Sequence, residues 1–220
     1  MGADRSGDLA LALRQSFWLS FLLADFLGER EYFGADVLVL SSASSKSALG
    51  TAHLLSERSA HRLVIGLTSA ARREAVADTE AYGQVATYEE IAALPGGTAV
   101  FLDFAGRPEL TAAVHRHYGT HLRHSALAGF TQGPGAGAGG HLPGPAPELF
   151  SVPEYILTRA HEVGMRALGQ RFEEELVEFA SWCAPWLRLE YVVGADGVAD
   201  TYRSILDGSS DATTATICSM

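Results

Sequence analysis

Four continuous apolar runs, spaced by helix-like stretches, constrain this chain more than any other feature. They are "ADVLVLS" at 35–41, "HRLVIGLT" at 61–68, "TAVFLDF" at 98–104 and "HSALAGF" at 124–130. A strand without polar alternation is covered on both faces, and helices on both sides of a parallel sheet supply that cover. A shorter strand-like piece, "QVATY", lies at 84–88, and "LRLEYVVG" at 187–194 reads as the last strand. Helical patterns fill 8–28, 45–57, 69–81, 88–94, 107–119, 151–164, 165–186 and 195–208. Strands alternating with helices in this way make βαβ units.

The expected organisation is an N-terminal helix over 1–30, one α/β domain over 31–208 and a frayed tail over 209–220. Within the domain, "GPGAGAGGHLPGPAP" at 133–147 is too rich in Gly and Pro for regular structure and reads as a mobile loop or lid. A chain of 220 residues buries about 70% of its unfolded surface without a metal or disulfide staple. The net charge of −10 argues against a nucleic-acid or membrane-surface partner, which needs clustered cations. The two cysteines, Cys183 and Cys218, form no metal motif and suit a reducing cytoplasm. The opening "MGADRSGDLALALR" has no basic region of the kind that starts a secretory signal. The apolar "SFWLSFLLADFL" that follows is 12 residues long, against about 20 for a bilayer span, and reads as a buried helix.

Ligands of an open parallel sheet bind at the carboxyl ends of its strands. After the first strand, where nucleotide folds place glycines, the chain has "SSASSKSALG". Serine hydroxyls can cap a helix and donate to phosphate. Lys46, the one lysine of the chain, falls in the first helical turn, where a cation opposes the helix dipole unless an anion is near. Ser44, Ser45 and Lys46 are therefore candidate phosphate ligands; the alternative is a serine cap beside a solvated lysine. The second strand ends "GLTSAARR", without the acid that usually holds the ribose hydroxyls of NAD. Thr68, Ser69 and Arg72 suit a 2′-phosphate instead, so NADP(H) is the expected dinucleotide. Asp103, Ala105 and Gly106 after the fourth strand, and Gly129, Phe130 and Thr131 after the fifth, would border the rest of the cofactor. His117 and His121 could share a helix face as metal ligands, but Gly119 falls between them and no partner set is visible; no metal is expected. A P-loop, a Tyr-x-x-x-Lys dyad and a Gly-x-Ser-x-Gly elbow are absent from the sequence.

The run "VLVLSSASSKSALG", with "GLTSAARREAV", "YGQVATYEEI", "VFLDFAGRPELTAAVHRHYG", "LAGFTQ", "FSVPEYILTRAHEVG" and "YRSILDG", resembles the DUF2855 family. That family is similar to the nucleotide-binding half of medium-chain, quinone-reductase-like dehydrogenases. The resemblance implies a Rossmann sheet, doubly wound and six-stranded in the order 3-2-1-4-5-6, with an NADP(H) site and no zinc. Phe150 and Thr131 would then flank the nicotinamide, and Tyr155 is the one candidate proton donor. Family members usually carry an N-terminal GroES-like domain, and this sequence begins where that domain would end. The expected function is an NADP(H)-dependent oxidoreductase domain acting on a small molecule. The alternatives are a non-redox cyclase, isomerase or binding protein of secondary metabolism, and a subunit that docks a separate GroES-like chain. A homodimer through the last strand is a further expectation.

Overall fold

The computed structural model describes residues 5–59, 61–129, 142–206, 211 and 213–219. Helix α1 (Arg5–Glu29) leads into β1 (Val37–Leu40), α2 (Lys46–Arg58), β2 (Leu63–Thr68), the short α3 (Arg73–Ala77) and β3 (Gln84–Thr87). Then come β4 (Ala99–Asp103), α4 (Pro108–Tyr118), β5 (Leu122–Leu127) and the two-residue β6 (Glu148–Leu149). These six strands form one parallel sheet in the order β3-β2-β1-β4-β5-β6. The doubly wound Rossmann topology is the expected one.

Both faces of the sheet are covered, and the strands divide their side chains accordingly. Leu38, Leu40, Val100 and Leu102 join the core under α1 and α2. Val37, Val39, Ala99 and Phe101 face the opposite core with Leu110 and Val114 of α4. Beyond the sheet follow α5 (Val152–Val163), α6 (Met165–Cys183), β7 (Arg188–Val193), α7 (Ala195–Leu206) and β8 (Thr214–Ser219).

The C-terminal part differs from the sequence expectation. The run at 187–194 is not the sixth strand of the main sheet. It forms β7, which pairs in parallel with β8 in a separate two-stranded sheet. The tail is correspondingly not frayed throughout, because Thr214–Ser219 is that partner strand. The sixth place in the main sheet goes to Glu148–Leu149, which pairs with Ala126 and Leu127. Two expected helices are also shorter. Residues 69–81 hold only a 3-10 turn and α3, and Tyr88–Ala93 is 3-10 rather than α. Of the lid stretch, 133–141 lies outside the described residues, and 142–147 runs without helix or strand to β6.

Helix α1 is a core helix. Gly7–Glu29 is long and apolar enough to cross a membrane by length and composition, yet half of its most apolar stretch is buried inside the protein. Leu9, Leu13, Phe17, Phe21 and Leu27 are buried at near-helical spacing. Phe17 stacks on Phe179 of α6 at 4.8 Å, and Trp18 stacks on Phe172 at 3.8 Å. Each such side chain contributes about 1.5–3 kcal/mol of burial. Against α2 the approach is closer still. The Ser20 hydroxyl donates to the Ser47 carbonyl at 2.7 Å, and a Cβ on Gly50 would stand 2.7 Å from Ser20 Oγ.

The C-terminal end of α1 is tied by charge. Asp25 receives Arg159 Nε of α5 at 2.6 Å, Tyr155 Oη at 2.9 Å and Arg171 of α6 at 3.1 Å. The side chains of Asp25 and Arg159 are 3% and 7% exposed, so the pair is desolvated. Burial acts to raise the Asp25 carboxyl, but the hydrogen bonds from Arg159 and Tyr155 overcome it and hold the pKa below the ordinary value. Arg159 further binds Glu29 and Glu162 at 2.9 and 2.7 Å.

Removing one partner of such a pair leaves a buried, uncompensated charge. Asp25→Asn is expected to cost about 3–5 kcal/mol in chemical denaturation. Because the folded-state pKa is lowered, the Asp25 contribution is present at neutral pH and is lost as pH falls below about 4; the variant should show a correspondingly flatter acid limb. A second expectation concerns Gly66 of β2, where a Cβ would lie 2.9 Å from both Ala43 and the Tyr82 ring. Ala43 is fully buried, and Tyr82 is fixed by donating to its carbonyl at 3.0 Å. Gly66→Ala should therefore destabilise by about 1–3 kcal/mol, read as a lower denaturation midpoint.

Candidate functional site

The serine-rich turn joins β1 to α2 at the point where the sheet order reverses, between β2 and β4. Its first serine looks inward. Ser41 is fully buried, donates to Asp103 Oδ1 at 2.7 Å, and accepts the backbone N–H groups of Phe104 and Ala105 at 2.8 and 3.0 Å. The same Asp103 oxygen accepts from the amides of Ala105 and Gly106, and the other from Thr111 Oγ1 at 2.8 Å. Asp103 thus shapes the β4–α4 turn and clamps it to the β1–α2 turn. Its carboxylate is committed within the protein, as are the Ala105 and Gly106 amides.

Ser42 takes the left-handed conformation, φ 50°, that a nucleotide-binding turn commonly gives to glycine. Ser45 caps α2, its hydroxyl accepting the Ala48 amide at 3.2 Å. The Ser44 hydroxyl is buried and accepts from Arg72 at 3.1 Å. The turn after β2 therefore reaches across to the turn after β1 through Arg72, while Thr68 is buried at the end of β2 and Ser69 is half-buried beside it. Sequence reasoning missed Tyr88, which follows β3. Burial raises the pKa of its hydroxyl, and the Ser42 backbone, Arg107, Asp103 and Arg72 all act on it electrostatically. The Arg107 guanidinium lies 5.6 Å from the centre of the Tyr88 ring. An aromatic residue directly after a short edge strand was the available signal.

Lys46 is the first residue of α2, and its ammonium is within electrostatic reach of Arg72 in this corner. It lines a cavity of about 480 Å³ between α1, with Gln15 and Ser16, and the β7–α7–β8 unit, with Thr201 and Thr216. Among the described residues its ammonium makes no hydrogen bond or ion pair. Burial lowers its pKa; Asp211 opposes the shift and Arg72 adds to it. A cation in the first turn of a helix opposes the helix dipole unless an anion is near. Of the alternative, a serine cap beside a solvated lysine, the cap is present at Ser45, and Lys46 lines a cavity.

The remaining expected residues are dispersed. Gly129 packs on Phe104, whose carbonyl would be 3.2 Å from a Cβ there. Phe130 and Thr131 lie outside the described residues. Phe150 and Tyr155 line a different cavity, beside the C-terminal end of α1. Tyr155 donates to Asp25, and burial together with that carboxylate pushes its hydroxyl pKa far up. It serves the ion cluster and is not near Lys46: Ser16 and Phe26, which line the two cavities, stand about 15 Å apart along α1. Gly119 ends α4 with φ 52°, so His117 and His121 do not share a helix face. Among the described residues no group of three or more His, Cys, Asp and Glu side chains converges as a metal set.

Solved structures share this architecture. CurA from Vibrio vulnificus, crystallised with NADPH, superposes with a TM-score of 0.57 at 15% identity, over 90% of this chain and 61% of its own. The yhdH oxidoreductase from Salmonella enterica, with NADP, gives 0.59 at 14% identity over 93% and 61%. Galactitol-1-phosphate dehydrogenase from Escherichia coli gives 0.51 at 14% over 89% and 57%. The chain thus spans about three fifths of these relatives, and at such identities the likeness is one of fold. No curated protein matches the sequence. The profile of DUF2855, described as a protein of unknown function, covers residues 2–211. With the motif series, the sheet order and the profile agreeing along almost the whole length, the chain belongs to the DUF2855 family.

Proposed function

We propose that the chain is an NADP(H)-binding domain of the medium-chain reductase type, serving the reduction of a small molecule in the cytoplasm. The observation that carries this reading is the basic corner at the strand ends, where Arg72 bridges to Ser44 and no carboxylate follows β2 within "GLTSAARR". The fit is that of a phosphate-bearing ligand. Arg72 with Thr68 and Ser69 would hold the 2′-phosphate, a guanidinium being suited to phosphate geometry. Lys46 and the first turn of α2 would meet the diphosphate. Ser45 orients that turn through its cap, and Ser44 orients Arg72. Asp103 acts only by fixing the two turns relative to each other. Bound NADPH would supply the hydride. The molecule to be reduced would occupy the cavity that Lys46 shares with Thr201 and Thr216, whose hydroxyls suit a polar substrate. Structural relatives crystallised with NADPH and NADP support the reading.

Calorimetric titration with NADPH, NADP and NADH tests it. NADPH should bind and NADH should bind at least about tenfold more weakly, the cost of one lost charged hydrogen bond. Arg72→Gln should remove that preference without weakening NADH. Lys46→Ala should weaken both reduced coenzymes. Equal binding of NADPH and NADH, or no heat from NADPH at millimolar concentration, would overturn it.

A further inference from the structure

A second cavity, of about 460 Å³, opens between the C-terminal end of α1, α5 and the β5–β6 edge of the sheet. We propose that it binds a small organic ammonium ion bearing an aromatic or apolar group. Its wall is aromatic. Phe26, Phe150 and Tyr155 form a triangle with ring centres 5.4–5.6 Å apart. Such faces attract cations, and one already does so: the Arg30 guanidinium lies 4.3 Å from the centre of the Phe26 ring.

His124 of β5 supplies the specific contact. It lines the cavity and is 7% exposed. One face of its ring is stacked on Phe33 at 4.3 Å, so its orientation is set. Among the described residues neither ring nitrogen has a hydrogen-bond partner, and neither is an enclosed unsatisfied atom, so the polar edge of the ring is open to the cavity. Burial, helped by Arg30 and opposed by Glu148, holds its pKa below the ordinary value, so the imidazole is neutral at pH 7 and offers an acceptor. The ligand that completes it is a donor.

Charge decides which donor. Glu29 and Glu162 are already paired with Arg159. Glu148 and Glu154 line the cavity, are exposed, and form no ion pair among the described residues. An ammonium group meets the His124 acceptor, the ring faces and these two carboxylates together. A carboxylate or phosphate would meet these two like charges against one guanidinium, that of Arg30, which also lines the cavity and lies over the Phe26 ring. The volume is that of a site for one small molecule, and the site is independent of the coenzyme reading, since none of its wall overlaps the turn at Ser44 to Lys46.

The probe is 2-phenylethylamine, compared by calorimetry with 2-phenylethanol and 3-phenylpropionate at neutral pH. The amine should bind saturably and the other two at least about tenfold more weakly. Two variants should each weaken the amine about tenfold. His124→Phe keeps the stack and removes the acceptor. Glu148→Gln with Glu154→Gln changes only exposed side chains, so it keeps the question answerable if the first variant does not fold. Saturating NADPH should leave amine binding unchanged. Absence of saturable amine binding at millimolar concentration, equal binding of the alcohol, unaltered binding in the exposed double variant, or displacement by NADPH would each overturn the proposal.

Discussion

Helix α1 is too apolar to stand in water, and where it is covered decides the rest of the molecule. Phe172 and Phe179 of α6 cover one side. On the other, Gly50 lets α2 approach until side chain meets backbone at Ser20 and Ser47. Both contacts are rigid, so the turn that starts α2 is held against α1 rather than free above the sheet. The same helix then separates two cavities. Its N-terminal half walls the Lys46 cavity, and its last turns, anchored by the Asp25 cluster, wall the aromatic one.

The Ser41–Asp103 clamp explains how a turn without glycines keeps its shape. Glycine would give the turn its left-handed residue at no cost, whereas Ser42 accepts that conformation against the usual side-chain penalty. The compensation is a buried network in which one carboxylate collects two hydroxyls and two amides. Two strand ends are thereby locked together, and the Ser41, Ser44 and Ser45 hydroxyls each have a bonded partner within the protein. Of the cations beside them, Arg72 reaches Ser44 and Arg107 reaches Glu109, while Lys46 lines the neighbouring cavity.

Much of the sheet was legible because each buried strand leaves an uninterrupted apolar run, and parallel pairing follows from the helices between them. Other features left no local trace. Two residues, Glu148 and Leu149, cannot show a period, so the sixth strand went unseen. The run at 187–194 reads correctly as a strand, but nothing in it says which sheet it joins. "TATICS" is rich in β-branched residues, yet it pairs only because α7 brings it back beside β7. At the site, the pattern singled out the turn at the reversal of the sheet order and the lysine that begins α2. It could not show that Asp103 is bonded to Ser41 or Tyr155 to Asp25, because those partners lie far away in sequence. Residue type announces a capacity to bond, and only the fold says whether that capacity is already used.

The placement of Lys46 has a chemical corollary. A chain with a single lysine offers acylating, aldehyde and crosslinking reagents one side-chain amine, and here that amine sits inside a cavity with its basicity reduced by enclosure. Its unprotonated fraction at neutral pH is larger than that of a surface lysine, while its access is narrower. Modification would therefore be a molecular gauge of that chamber: slow for bulky reagents, quick for small ones, and blocked by whatever fills the space.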